Sequence, residues 1–281
     1  MKKFRKFLSR LCLILLVIIV LYFAFEIIKA CLVTPRIMEK ALKNVTTKVS
    51  DLNQWQLNAL LAIEDPNFYE HKGVDLRTPG AGLTTITQSL TKVFYFNQFK
   101  PGLAKIKQTL IARYVVDKLV TKDDQLTLFL NTIYLGEAKG KAVFGFEHAA
   151  KAYYNKRVGN LTEDEYLSIV AMIIAPHNFH IVDCPDANAE RTKRIKKVIS
   201  GDYQPKHLMD LYYGELDEET QKGLPPASYV PSSIKAWCLK SLQSIKVKLK
   251  MLFQWLLQLL VTGKYYLENT SRSSSLVARV E

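Results

Sequence analysis

The chain has 281 residues, 48% of them hydrophobic and 23% charged, with a formal net charge of +13. Its four cysteines are scattered and form no CxxC pair, which excludes a disulfide framework and a thiolate metal site. So basic a chain could suit nucleic acid, but an N-terminal export signal redirects that expectation to anionic lipid head groups or a phosphorylated substrate, with no nucleic acid as partner.

Residues 1–10, "MKKFRKFLSR", carry five basic side chains and no acid, and run into fifteen uncharged apolar residues, "LCLILLVIIVLYFAF". Glu26 interrupts, and "IIKACLV" resumes the apolar character. A signal peptide has the same polarity, but its small-residue cleavage pattern is weak here. About 20 apolar residues span a bilayer, so 11–33 reads as an uncleaved transmembrane anchor. The positive-inside bias keeps residues 1–10 in the cytoplasm and places the rest on the far side of a plasma (inner) membrane crossed once.

From 45 to 200 the apolar residues recur every three or four positions, which predicts one mainly α domain without a large sheet. Ser50 is placed as N-cap of a helix over 51–63, and Pro66 stops it. "VDLRTPGAG" reads as a loop. Further helices are expected at 83–96, 103–119, 122–134, 145–155 and 162–175, the last capped by Thr162 and stopped by Pro176. "GLPPASYVPSS" belongs to a linker assigned to 201–231. Beyond it, 232–262 has five lysines, no acid and a leucine stripe, as in a basic amphipathic helix on a membrane, a short coiled coil or a helix packed on the domain. Residues 263–281 have the composition of a disordered tail.

Three stretches could carry chemistry. In "IEDPNFYEH" an apolar helix runs into two acids and breaks at proline. Apolar surroundings and the negative end of a helix dipole both raise a carboxylate's pKa, which would suit Glu64 to general-base work near neutral pH. Asp65 points about 100° away and reads as a cap or loop hydrogen bonder. In "GLTTITQSLTKVF", Leu83, Ile86, Leu90 and Val93 share one arc. Thr84, Thr85, Gln88, Thr91 and Lys92 fill the other side, hydroxyls and an amide that suit sugar or phosphate oxygens as well as an ordinary polar face. Lys92, Lys100, Lys105, Lys107 and Arg113 form a cationic run that could hold a diphosphate or simply be solvated. His71 reads as a hydrogen-bonding scaffold for the loop that presents Glu64.

Taken together, "EDPNFYEHKGVD", "GLTTITQSLTK", "KIKQTL", "KDDQLTLFLNTIYLG" and "GFEHAAKAYYNK…LTEDEYLSIVAMIIAP" resemble, in order, the motifs of the family-51 peptidoglycan glycosyltransferases over residues 55–200. The resemblance implies a lysozyme-like, mainly α domain in a monofunctional layout with one N-terminal transmembrane helix. The implied substrate is lipid II, polymerised at the membrane into glycan strands with inversion and loss of undecaprenyl pyrophosphate, in company with other cell-wall synthesis proteins. Glu64 stands at the family's general base, and Asp65, Phe68, His71 and Gly73 at the other marked places of the first motif. Thr85, Gln88 and Lys92 match the second, substrate-lining motif. Lys105 and Gln108 fall on the third, and Asn131 and Tyr134 on the fourth, where a structural role is implied.

The departures are specific. The third motif's glutamate, a second acid that assists departure or holds a divalent cation such as magnesium, is replaced by Gln108 or, aligned from downstream, Thr109. Its arginine becomes Ala104. Leu83, Ser89 and Val93 replace the usual glycine, glutamine and asparagine of the second motif. A divalent cation such as magnesium stays open as a cofactor, with its usual ligand missing from the chain. The readings left open are an enzyme, a non-catalytic relative that binds lipid-linked precursor as a scaffold, and a lysozyme-like hydrolase, ranked lowest because that chemistry needs two carboxylates.

Overall fold

The structure, a computed structural model, describes residues 2–100 and 102–215. The predicted helix at 232–262 and the tail at 263–281 lie outside the described residues. Helix α1, Lys2–Leu42, is one continuous rod. Within it Ser9–Leu42 is long and apolar enough to cross a membrane. The expected anchor over 11–33 is therefore only part of a helix that continues into the domain, where Ala30, Thr34 and Met38 are buried.

Helix α2, Gln54–Glu64, begins one turn later than predicted. Asn53, not Ser50, is its N-cap: Asn53 accepts from the Gln56 amide while the Gln56 side chain accepts from the Asn53 amide. Residues Val49–Asp51 instead form a short 3-10 turn, which takes Ser50 off the cap position. Gln56, Ala59, Leu60 and Ile63 are the buried side of α2, at steps of three and four. Helix α3 covers Ile86–Tyr95, with Leu83 ahead of it and Val93 exposed rather than in the core. Helix α4, Leu103–Ile111, passes through a π-helical turn, Ala112–Val116, into the short α5, Asp117–Leu119. Helix α6, Lys122–Thr132, is capped by Thr121.

A two-stranded antiparallel ribbon follows, β1 Tyr134–Ala138 and β2 Lys141–Phe144. Lys139 and Gly140 both have positive φ, the backbone demanded by the tight turn that closes a hairpin. Helix α7, Phe146–Ala149, runs into a second π-helical turn, Ala150–Tyr154. Helix α8, Glu163–Met172, starts at Thr162 with a Glu165 capping box, and every residue from Tyr166 to Met172 is buried. It is the central element of the core. Helix α9, Pro185–Ser200, opens with proline at its first position and ends at Gly201 in the left-handed region. α2 packs on both α8 and α9.

Two regions differ from the sequence reading. α9 is absent from it, because cations surround its narrow buried stripe, Asn188, Arg191, Thr192 and Ile195. The span from 201, assigned to a linker, packs on the domain as far as 213. Tyr213 is in the core, its hydroxyl donating to the Ile63 carbonyl at 3.3 Å, and Pro205 lies against Gly80.

Candidate active site

Glu64 is the last residue of α2, and Asp65, extended, closes the helix. The two acids part company at once. Asp65 is fully buried. One of its oxygens accepts from the Ile86 amide at 2.9 Å, and the other binds His71 Nε2 at 2.8 Å. Both carboxylate oxygens are thus spent on tying the first motif to the start of α3.

Glu64 is half-buried and has no hydrogen-bond or ion-pair partner among the described residues. Burial pushes its pKa up to about 7; the Arg191 guanidinium pulls it down, and Asp65 adds to the rise. Arg191 reaches it from α9, buried among rings, with its guanidinium 5.2 Å from Phe179, 5.9 Å from Tyr212 and 5.7 Å from Tyr213. Its hydrogen bonds go to the Ala171 and Leu211 carbonyls, each at 3.1 Å. The cation is therefore held in place by other groups and acts on Glu64 through space. Arg191 and Tyr213 are the functional neighbours that sequence reasoning missed. The signal for Arg191 was its place on the same face as Asn188, Thr192 and Ile195.

Most residues matched to substrate binding turn inward. Phe68 is a core side chain. Thr85 caps α3, accepting from the Gln88 amide at 3.1 Å and donating to the Gly73 carbonyl at 2.9 Å. Gln88 accepts from the Thr85 amide at 3.1 Å and donates to Thr109 at 3.0 Å. Of the α3 face expected to meet sugar oxygens, Thr85, Gln88 and Thr91 are buried, while Thr84 and Lys92 are exposed. The reason is polar satisfaction: a hydroxyl or amide is tolerated inside when each finds a partner. Asp65, Phe68, Thr85 and Gln88 are bound into the scaffold of the site, while His71 both binds Asp65 and lines a cleft.

Gln108 turns inward as well. It is buried, its amide nitrogen donating to the Gln88 carbonyl at 2.6 Å while its oxygen has no partner. A neutral amide there brings no negative charge to a divalent cation. Among the described residues no three His, Cys, Asp or Glu side chains converge to hold a metal ion.

The cations remain accessible. Lys92 is exposed, 5.5 Å above the Phe99 ring. Lys105 donates to the Leu83 carbonyl and to Thr84 Oγ1, each at 3.0 Å. Burial lowers its pKa to about 8, and Lys92 lowers it further in the same direction. Lys105 and the Asp65 bond to Ile86 thus grip the same turn, 83–86, from opposite ends.

Gly73 has φ 78°, and a Cβ there would meet the Ala112 carbonyl oxygen at 2.6 Å. Only glycine lets the first-motif loop lie against the π turn after α4. A cleft of about 590 Å³ opens between that loop and α4, lined by His71, Arg77, Thr109, Arg113 and Tyr114 among others. Glu64 does not line it. Asn131 sews the 46–47 segment to α6, its oxygen accepting from the Thr46 and Thr47 amides at 2.7 and 3.1 Å. That is the structural role the fourth motif implied.

A mainly helical domain with one poised carboxylate at a helix end and lysines at a neighbouring turn is the lysozyme-like arrangement that the motifs foretold. The chain matches the Transglycosylase family over residues 33–200 and belongs to it. It is 34% identical over 166 residues to penicillin-binding protein 1A of Neisseria gonorrhoeae, covering 54% of this chain and 20% of that protein. It is 31% identical over 160 residues to penicillin-binding protein 1F of Bacillus subtilis, covering 52% and 22%. The chain spans about a fifth of the length of these curated relatives.

Proposed function

We propose that the protein is a membrane-anchored peptidoglycan glycosyltransferase that polymerises lipid II into glycan strands, its domain lying on the extracytoplasmic side of the membrane. The observation that carries this reading is Glu64, an unpaired carboxylate with a pKa near 7 at the position of the family's general base. Family membership and the relatives' names support the reaction class.

In this mechanism Glu64 takes the proton of the acceptor sugar's 4-hydroxyl as that oxygen attacks the anomeric carbon of the lipid-linked donor. The bond from that carbon to the diphosphate breaks with inversion, and undecaprenyl pyrophosphate leaves as an anion. Lys92 and Lys105 offset its charge, so no acid needs to protonate it. Arg191 keeps Glu64 from rising so far that it stays protonated at working pH. No step is routed through a metal, for the donor-set reason given above.

The test is turnover of lipid II by the full chain in lipid vesicles, read as glycan strands on a gel. Glu64→Gln is expected to lower the rate by about 10²–10⁴-fold, the contribution of a positioned general base. Equal product from both proteins would remove Glu64 from the mechanism.

The burial of Gln108 favours a second reading, a non-catalytic relative that holds lipid-linked precursor for other cell-wall synthesis proteins. It predicts saturable lipid II binding with no strand formation by the wild-type chain.

A further inference from the structure

The apolar part of α1 carries one acid, and the fold gives it a partner. Glu26 pairs with Lys107 of α4, with side-chain exposures of only 14% and 23%. Lys107 also stands 5.3 Å from the Phe96 ring. Two turns further along α1, Thr34 hydrogen-bonds the Tyr95 hydroxyl at 2.6 Å. Ala30, Thr34 and Met38, at steps of four, form a buried stripe on the same rod. α1 is therefore a membrane-spanning candidate and a packed helix of the domain at once, with no joint between the two.

Height follows from helix geometry. The fifteen uncharged residues from Leu11 to Phe25 rise ~22 Å at ~1.5 Å each, short of the ~30 Å hydrocarbon core. Glu26 must then lie at the outer boundary of that core or within about a turn of it. A lone carboxylate is costly at such depth, and intramembrane acids are usually paired and functional. Here the pairing brings α4 down to the bilayer edge. Leu103 and Ile106 of the same helix are 63% and 44% exposed, as lipid-facing side chains would be. Lys105 lies between them in sequence, its ammonium donating to the Leu83 carbonyl and Thr84 Oγ1.

We propose that Glu26 is a positioning residue: its pairing with Lys107 fixes the height of α4 against the membrane, so that Lys105 meets the diphosphate of a lipid-linked substrate. This rests on the glycosyltransferase reading above. The tests therefore include one that needs no turnover.

With the full chain in phosphatidylglycerol-containing vesicles and lipid II as probe, Glu26→Gln should raise KM about tenfold and leave kcat within about twofold. Lys107→Gln should do the same. The double variant should be no worse than either single one, because both break one pair. In a Glu64→Gln background, lipid II binding to the same vesicles should weaken about tenfold on Glu26→Gln. An unchanged KM together with unchanged binding overturns the proposal, as do two single effects that multiply in the double variant. A wild-type chain that binds lipid II without turning it over sinks the catalytic reading, while the binding comparison still decides the role of Glu26.

Discussion

The two acid positions of the family motifs have had opposite fates in this fold. At the end of α2, Glu64 keeps a free carboxyl, partly open, lifted to about pKa 7 by burial and restrained by Arg191. On α4, the second place falls on Gln108 or Thr109: Gln108 lies in the interior, bound to the Gln88 carbonyl at 2.6 Å, and Thr109 donates to the Lys105 carbonyl. A carboxylate in that second place would face a carbonyl oxygen instead of a donor. The contrast teaches that one side of the site keeps a group able to change protonation near neutral pH. The other holds a neutral amide packed inside.

The sharpest way to break this comparison is Glu64→Gln, whose expected loss of about 10²–10⁴ in strand formation would leave no catalytic group on either side. Next in size is Asp65→Ala. It strips the Ile86 amide and His71 of a buried, doubly bonded carboxylate, and should cost about 3–5 kcal/mol by chemical denaturation, as breaking a buried polar network does.

A third test sharpens the pairing of Glu64 with Lys105. Activity needs Glu64 deprotonated, so it should rise as pH passes about 7, and needs Lys105 charged, so it should fall as pH passes about 8. The profile of kcat/KM is then a narrow bell. Lys105→Arg should remove the alkaline limb and keep the acid one, since arginine stays protonated. An unmoved alkaline limb would free Lys105 from that role.

Stability should show the same asymmetry. Glu64 has a folded pKa raised above its unfolded value of 4.5, so the unfolded state loses its proton first. Stability should therefore fall as pH rises from about 4.5 to about 7 and level off above it. Glu64→Gln, which cannot ionise, should be more stable than wild type by up to ~3 kcal/mol at pH 8, and equal to it near pH 4. The smallest effect is expected from Gln108→Glu. It should give no gain in turnover and a loss of about 1–3 kcal/mol that grows with pH, measured by thermal melts in two buffers. A clear rise in turnover would show that α4 still reaches the reacting centre.

Much of this could be read along the chain. The apolar N-terminal run, the caps at Thr162 and Gly201, the stop near Pro66 and the poised Glu64 are local matters, set by hydrophobic period, cap chemistry and the end of a helix. The hairpin at 134–144 was not legible, because its turn is Lys139-Gly140 rather than a strong asparagine or aspartate signal. α9 was hidden for a different reason: cations crowd its outer face, and only tertiary packing shows which side is buried.

The linear sequence by itself determined the family, the membrane-spanning candidate and the acid at the end of α2, since motif order, apolar length and helix stops are properties of neighbours in the chain. Tertiary structure alone decided which polar residues face a ligand and which face the core. Thr85, Gln88 and Gln108 each bond to a partner twelve to twenty-one residues away. Arg191 reaches Glu64 from more than a hundred residues on. Hydrogen bonds and fields act through space, and no periodicity records where the chain returns.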